Sequence, residues 1–100
     1  MKNIRFWELI GWIKRGKQRR EVIKLFPDKP ITAEEFRKYL NSKNSLKLSL
    51  REMSRHLTSF TKQGLLKCLT PNAPYGRLYV LTNLGKKAKK EATEKVIEII

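Results

Sequence analysis

Ser49-Leu50-Arg51-Glu52-Met53-Ser54-Arg55-His56-Leu57-Thr58-Ser59-Phe60-Thr61-Lys62-Gln63-Gly64-Leu65-Leu66-Lys67-Cys68-Leu69-Thr70-Pro71, followed after a short tip by Gly76-Arg77-Leu78-Tyr79-Val80-Leu81-Thr82, runs from a capped helix through a hairpin to a second cap. Ser49-Leu50-Arg51-Glu52 has the Ser-x-x-Glu form of a capping box, in which the hydroxyl accepts from a free first-turn amide and the glutamate reaches back. Projected at about 100° per residue, Leu50, Met53, Leu57 and Phe60 form one apolar stripe. Arg51, Arg55, Thr58, Ser59 and Lys62 fall on the other side. Gly64 ends the helix. Leu65 to Thr70 and Leu78 to Leu81 read as strands around the turn-forming tip Pro71-Asn72-Ala73-Pro74-Tyr75-Gly76.

Upstream, Thr32-Ala33-Glu34-Glu35 repeats the capping-box pattern and opens a short helix from Ala33 to Leu40, with Phe36, Tyr39 and Leu40 as its apolar face. The polar stretch Asn41 to Ser45 separates the two capped helices, which makes them a helix-turn-helix candidate. Ile4 to Lys14 sets Phe6, Trp7, Ile10 and Ile13 at helical spacing. The pattern resumes after Gly16 with Val22, Ile23, Leu25 and Phe26 until Pro27 stops it, giving two helices or one kinked helix. Thr82 caps a last helix from Asn83, with Leu84, Ala88, Ala92, Val96 and Ile100 along one side, Ile97 and Ile99 nearby, and Lys86, Lys87, Lys89 and Lys90 on the other. No internal repeat or low-complexity tract divides the chain, so residues 1–100 are expected to form a single domain.

A net charge of +14 on 100 residues, from 23 Lys and Arg against 9 Asp and Glu, exceeds what solubility requires and makes a polyanion the expected partner. Cys68 is the only cysteine, so no intramolecular disulfide can form, and an intracellular setting is expected. The apolar stretch Ile4 to Ile13 is broken by Arg5 and Glu8 and is too short to span a bilayer, so no membrane association is expected. An enzyme is disfavoured: His56, the only histidine, has no cysteine or matched carboxylate motif beside it, and there is no glycine-rich phosphate loop. No metal or cofactor is expected, and no pocket for a small effector is indicated.

The order of helix, capped helix, capped basic helix, Gly-Leu-Leu, hairpin and Leu-Thr-x-x-Gly resembles the winged helix-turn-helix DNA-binding transcription regulators, most closely the archaeal group near the MarR and ArsR families. The strings that carry the likeness are Phe6 to Gly11, Ser54 to Leu57, Gly64 to Pro71, Gly76 to Tyr79 and Leu81 to Gly85, and together they cover most of the chain. The expected fold class is therefore mainly α with a small β-hairpin wing: a winged helix-turn-helix with additional N- and C-terminal helices at 3–15 and 83–99. The resemblance implies that residues 49–63 correspond to the recognition helix and residues 70–77 to the wing tip, within a wing at 66–81. It also implies a homodimer. The turn from Asn41 to Lys47 is longer than the usual connection, which leaves the angle between the two helices open, and the chain lacks the Cys and His pairs with which some ArsR-like proteins sense metals.

Double-stranded DNA is the expected partner, and nucleoid association in the cytoplasm the expected location. An α-helix fits the major groove, where Arg can donate twice to the O6 and N7 of guanine, so Arg51 and Arg55 are the base-reading candidates. Ser49, Ser54, Thr58 and Ser59 are placed for edge or phosphate contacts and Lys62 for the backbone. Lys67 is a candidate phosphate contact on the ribbon, and Arg77 is a candidate for a narrow minor groove. The basic run Lys14, Arg15, Lys17, Arg19 and Arg20 could neutralise phosphates without reading sequence. Phe6, Trp7 and Trp12 exceed what a minimal core needs. They are expected to join the apolar C-terminal end in a dimer interface, with folding of the N-terminal helix onto its own C-terminal helix as the alternative. A second class of function on the same scaffold is a nucleic-acid- or protein-binding module of a transcription or replication assembly without operator specificity.

Overall fold

The computed structural model describes residues 2–93, with side chains from residue 5 onward. Five helices and a small antiparallel sheet follow in the order α1 (Lys2–Lys14), α2 (Lys17–Leu25), β1 (Ile31–Thr32), α3 (Ala33–Lys43), α4 (Leu50–Lys62), β2 (Leu66–Cys68), β3 (Leu78–Leu81) and α5 (Asn83–Thr93). The sheet order is β1-β3-β2, with Ile31 opposite Tyr79 and Lys67 opposite Val80. The expected hairpin is present: β3 has the expected bounds, and β2 is shorter than the expected run Leu65 to Thr70. The third strand was not expected. It arises because an N-cap needs extended backbone: Thr32, at φ −85° and ψ 163°, caps α3 and in that same conformation pairs with Leu78.

Gly16 separates α1 from α2 with extended backbone, so the N-terminal region is two helices and not one kinked rod. Two cations of the adjoining basic run are consumed there. The Arg20 guanidinium donates to the Lys14 carbonyl at the C-terminal end of α1, and the Arg19 guanidinium lies 4.6 Å from the centre of the Trp12 ring.

Both capping boxes form. The Thr32 hydroxyl accepts from the Glu35 amide at 3.2 Å, and the Ser49 hydroxyl accepts from the Glu52 amide at 3.1 Å while the Ser49 amide donates to the Glu52 carboxylate at 2.9 Å. Ser49→Ala should therefore cost about 1 kcal/mol of stability. Urea denaturation checks this, and an unchanged midpoint would mean the cap is unimportant in solution.

Between the capped helices, α3 continues past the expected end at Leu40 to Lys43. The connection, residues 44–49, is pinned: the Asn41 side-chain amide donates to the Leu48 carbonyl and accepts from the Leu48 amide, both at 2.9 Å, with Leu48 buried. That clamp fixes how α3 meets α4. The C-terminal end of α4 is closed by Gly64 at φ +82°, with the Leu65 amide donating to the Phe60 carbonyl and the Gly64 amide to the Thr61 carbonyl, the paired bonds of a Schellman motif. The Thr82 hydroxyl then joins the two helix ends, donating to the Gly64 carbonyl at 2.6 Å and accepting from the Gly85 amide at 3.0 Å.

One core unites these elements. Phe26 meets Phe36 edge-on at 4.9 Å between ring centres, and Met53, Leu57 and Phe60 of α4 are fully buried. Phe6 is buried and Trp12 packs on Phe60, so two of the three N-terminal aromatics serve the monomer. Trp7 alone of the three remains outside, 52% exposed. Helix α1 packs on α5 within the chain, and the Lys87 ammonium sits 4.7 Å from the centre of the Phe6 ring. The C-terminal apolar residues Val96, Ile97, Ile99 and Ile100 lie outside the described residues. Tyr39 and Leu50, read as core positions, are exposed. Each sits where the apolar arc ends: Tyr39 at the edge of the α3 face, with Lys43 over its ring, and Leu50 at the first residue of α4, beyond the reach of its neighbours. Among the described residues no helix is long and apolar enough to cross a membrane.

Candidate nucleic-acid interface

Helix α4 has two unequal sides. With Met53, Leu57 and Phe60 turned into the core, the exposed arc comprises Arg51, Ser54, Arg55, Thr58 and Lys62. Ser59 is half-buried on the flank with Glu52 and Gln63, so it does not share this face. Its projected angle lies about 85° from the centre of the exposed arc. Among the described residues the ion pairs are Lys24–Glu21, Arg37–Glu34 and Lys38–Glu34, none of them on α4. The reason lies in the cap. Glu52, the carboxylate nearest Arg51 and Arg55 in sequence, is tied to Ser49, and those backbone and hydroxyl hydrogen bonds hold its carboxyl below the usual range. Ser49 thus commits its amide and one lone pair of its hydroxyl to the helix start.

The hairpin lies alongside the arc. A cleft of about 420 Å³ is lined by Leu50, Ser54 and Thr58 of α4, the start of α3, and Pro74 to Arg77 with Tyr79 of the hairpin. Beyond it, Thr58, Thr61 and Lys62 face Cys68, Pro71, Arg77 and Tyr79 across a second, smaller depression. Because Thr58, Arg77 and Tyr79 border both, the two form one groove running along α4. Arg77 borders this groove, and its Nε donates to the Ala73 carbonyl at 2.8 Å. Lys67 is not. Successive strand residues point to opposite sides, and since Cys68 lines the groove, Lys67 projects from the other face of the sheet. Cys68, Tyr75 and Tyr79 are among the groove residues absent from the expected site. Tyr75 did carry a signal: an aromatic between Pro74 and Gly76, in a turn of Pro, Asn, Ala and Gly, has no apolar stripe to join.

On the opposite flank of α4, Arg55 borders a small pocket with Gln18, Glu52 and His56. The His56 Nε2 lies 2.7 Å from the Gln18 amide oxygen and so donates to it. Burial, assisted by Arg19 and Arg55 and opposed by Glu52, pulls the His56 pKa below its ordinary value of 6.5. As pH falls the unfolded chain therefore takes up a proton before the folded one does. The stability associated with His56 is full above about pH 6.5 and is lost as acidification proceeds toward the folded pKa. Thermal melting followed from about pH 7.5 to 5.5 should show a falling midpoint in the parent and a flatter one in His56→Gln; identical slopes would contradict this. Glu34 and Glu52, whose pKa values are lowered from 4.5, act only in a more acidic range.

A second basic surface lies on α5, where Lys86, Lys89 and Lys90 surround a shallow pocket with Asp28 and Thr93. Lys89 there donates to the Phe26 carbonyl. Among the described residues no group of three His, Cys, Asp or Glu side chains could hold a metal ion. Comparison with protein-family models, curated proteins and solved structures finds no match to the chain.

Proposed function

We propose that this protein is a winged helix-turn-helix regulator of the MarR- and ArsR-like kind that binds double-stranded DNA at preferred sequences, with α4 as the recognition helix and the β2–β3 hairpin as the wing. The observation that carries the reading is the exposed arc of α4. Two arginines one helical turn apart, two hydroxyl residues and a lysine stand free of ion pairs on a helix whose other side is locked in the core. A 13-residue helix is about 20 Å long, and the major groove, about 12 Å wide, admits it. In this reading Arg51 and Arg55 donate to guanine edges, Ser54 and Thr58 contact bases or phosphates beside them, and Lys62 meets the backbone. Arg77, on the hairpin, meets the backbone or the minor groove beside the helix. Lys67 and Ser59, turned away or flanking, are left out of the interface.

A two-fold dimer would set two such helices about 34 Å apart, as a pseudo-palindromic site requires. Exposed Trp7 on α1 is the aromatic side chain left available for that contact. Titration of duplex DNA, duplex RNA and single strands over a range of salt tests the reading. Duplex DNA should bind most tightly and with a site preference, the logarithm of affinity falling by about 0.9 per neutralised phosphate for each decade of salt. Equal, sequence-independent affinity for all three would displace it in favour of a general nucleic-acid-binding module.

A further inference from the structure

The hairpin tip carries more than a cation. Tyr75 is 85% exposed and flanked by Pro74, whose ring fixes its own φ, and by Gly76 at φ +68°. The loop that holds it up is nevertheless well tied. The Leu69 amide donates to the Leu78 carbonyl at 2.8 Å, the Leu78 amide to the Thr70 hydroxyl at 3.0 Å, and the Ala73 amide to the Thr70 carbonyl at 3.1 Å, while Arg77 Nε is bound to the Ala73 carbonyl. On such a pre-ordered support the loop backbone has little conformational entropy left to lose, and the cost of meeting a flat partner falls on the two torsions of the ring. Arg77, two residues on, keeps both terminal guanidinium nitrogens for a phosphate. Behind the ring lies the cleft that Leu50 and Tyr79 line with apolar surface and Ser54 and Thr58 with hydroxyls.

We propose that Tyr75 is an aromatic wedge that stacks against a base-pair step opened beside the hairpin, with Arg77 holding the neighbouring phosphate, so that the DNA is kinked where the tip meets it. This rests on the duplex-binding reading above and extends it from reading base edges to reading deformability. A stacked base offers a π-face irrespective of sequence, and side-chain wedges in a groove unstack steps at a cost that flexible pyrimidine–purine steps reduce. A second copy of this chain is the poorer occupant of the tip, because two chains of +14 repel each other and Glu34, the carboxylate lining the adjoining cleft, is already paired with Arg37 and Lys38.

The probe is a duplex selected by the protein from a random pool, with its ends closed by hairpin loops. Binding is measured by anisotropy and unstacking by permanganate oxidation of internal thymines. The parent protein should render a thymine beside the wing contact reactive. Tyr75→Ala should abolish that reactivity and weaken binding about ten-fold, whereas Tyr75→Phe should preserve both. Because Tyr75 is solvated, the Tyr75→Ala variant should melt at the parent's temperature. A bound duplex with no reactive thymine, or Tyr75→Ala with parental affinity and reactivity, overturns the wedge while leaving duplex binding intact. Failure of the parent to select any duplex overturns the functional reading itself, and the wedge with it.

Discussion

Arg51→Ala and Arg55→Ala are each expected to weaken binding to a selected duplex by about 1–3 kcal/mol and to relax the preference at one base position. Lys86→Ala should reduce affinity less, and equally for all sequences. The difference follows from where the charges sit. Arg51 and Arg55 rise from a helix anchored on its far side by Met53, Leu57 and Phe60, and neither is ion-paired with Glu52, whose carboxylate is bound to the Ser49 amide. Lys86 belongs to the basic pocket on α5, a surface separate from the groove. Since neither arginine forms an ion pair among the described residues, their removal should shift stability by no more than about 0.5 kcal/mol. Competition binding against single-base variants of the selected site checks this. Equal effects of the α4 and α5 substitutions would mean that α4 does not read bases.

The second large effect concerns stability. Gly85→Ala should destabilise the fold by about 3 kcal/mol or more, although alanine is ordinarily favoured over glycine in a helix by about 1 kcal/mol. Packing decides the sign here. A Cβ on Gly85 would lie 2.0 Å from the Leu65 carbonyl oxygen and 3.0 Å from the Leu81 Cδ2. The Leu65 carbonyl cannot turn aside without loss, because it accepts from the Thr82 amide at 3.1 Å. Relief therefore requires α5 to lift from the end of α4, breaking the Thr82 hydroxyl bonds that join them. For a chain of this size the melting temperature should fall by roughly 12 °C or more. A fall of under about 3 °C would show that α5 is not seated as described.

The helices were legible where side chains declare them locally. Both capping boxes, the Gly64 stop and the Met53-Leu57-Phe60 stripe are short-range patterns, and the sequence contained them whole. What escaped depends on distant partners. Strand β1 is two residues long, too brief for any periodicity, and exists because the extended backbone of Thr32 meets Leu78. Leu50 and Tyr39 fit an apolar arc on a helical wheel, but a wheel does not show where the neighbouring elements end.

Charge was legible in amount and less so in disposition. Arg19 and Arg20 lie in a basic run that looks uniformly free, yet one covers Trp12 and the other closes α1. Lys67 belongs to a ribbon beside α4 but points from its far face, which only the strand register decides. The groove could not be read in advance because its walls come from three separate segments: the α3 start, α4 and the hairpin.

The exposed arc of α4 as the DNA-reading surface is tested most directly by recording amide and side-chain chemical shifts of isotope-labelled protein as a selected duplex is added. The account predicts that perturbations concentrate at Arg51, Ser54, Arg55, Thr58 and Lys62 and at Tyr75 to Arg77, with little change at Lys86 to Lys90. Perturbations centred on α5, with α4 silent, would contradict it.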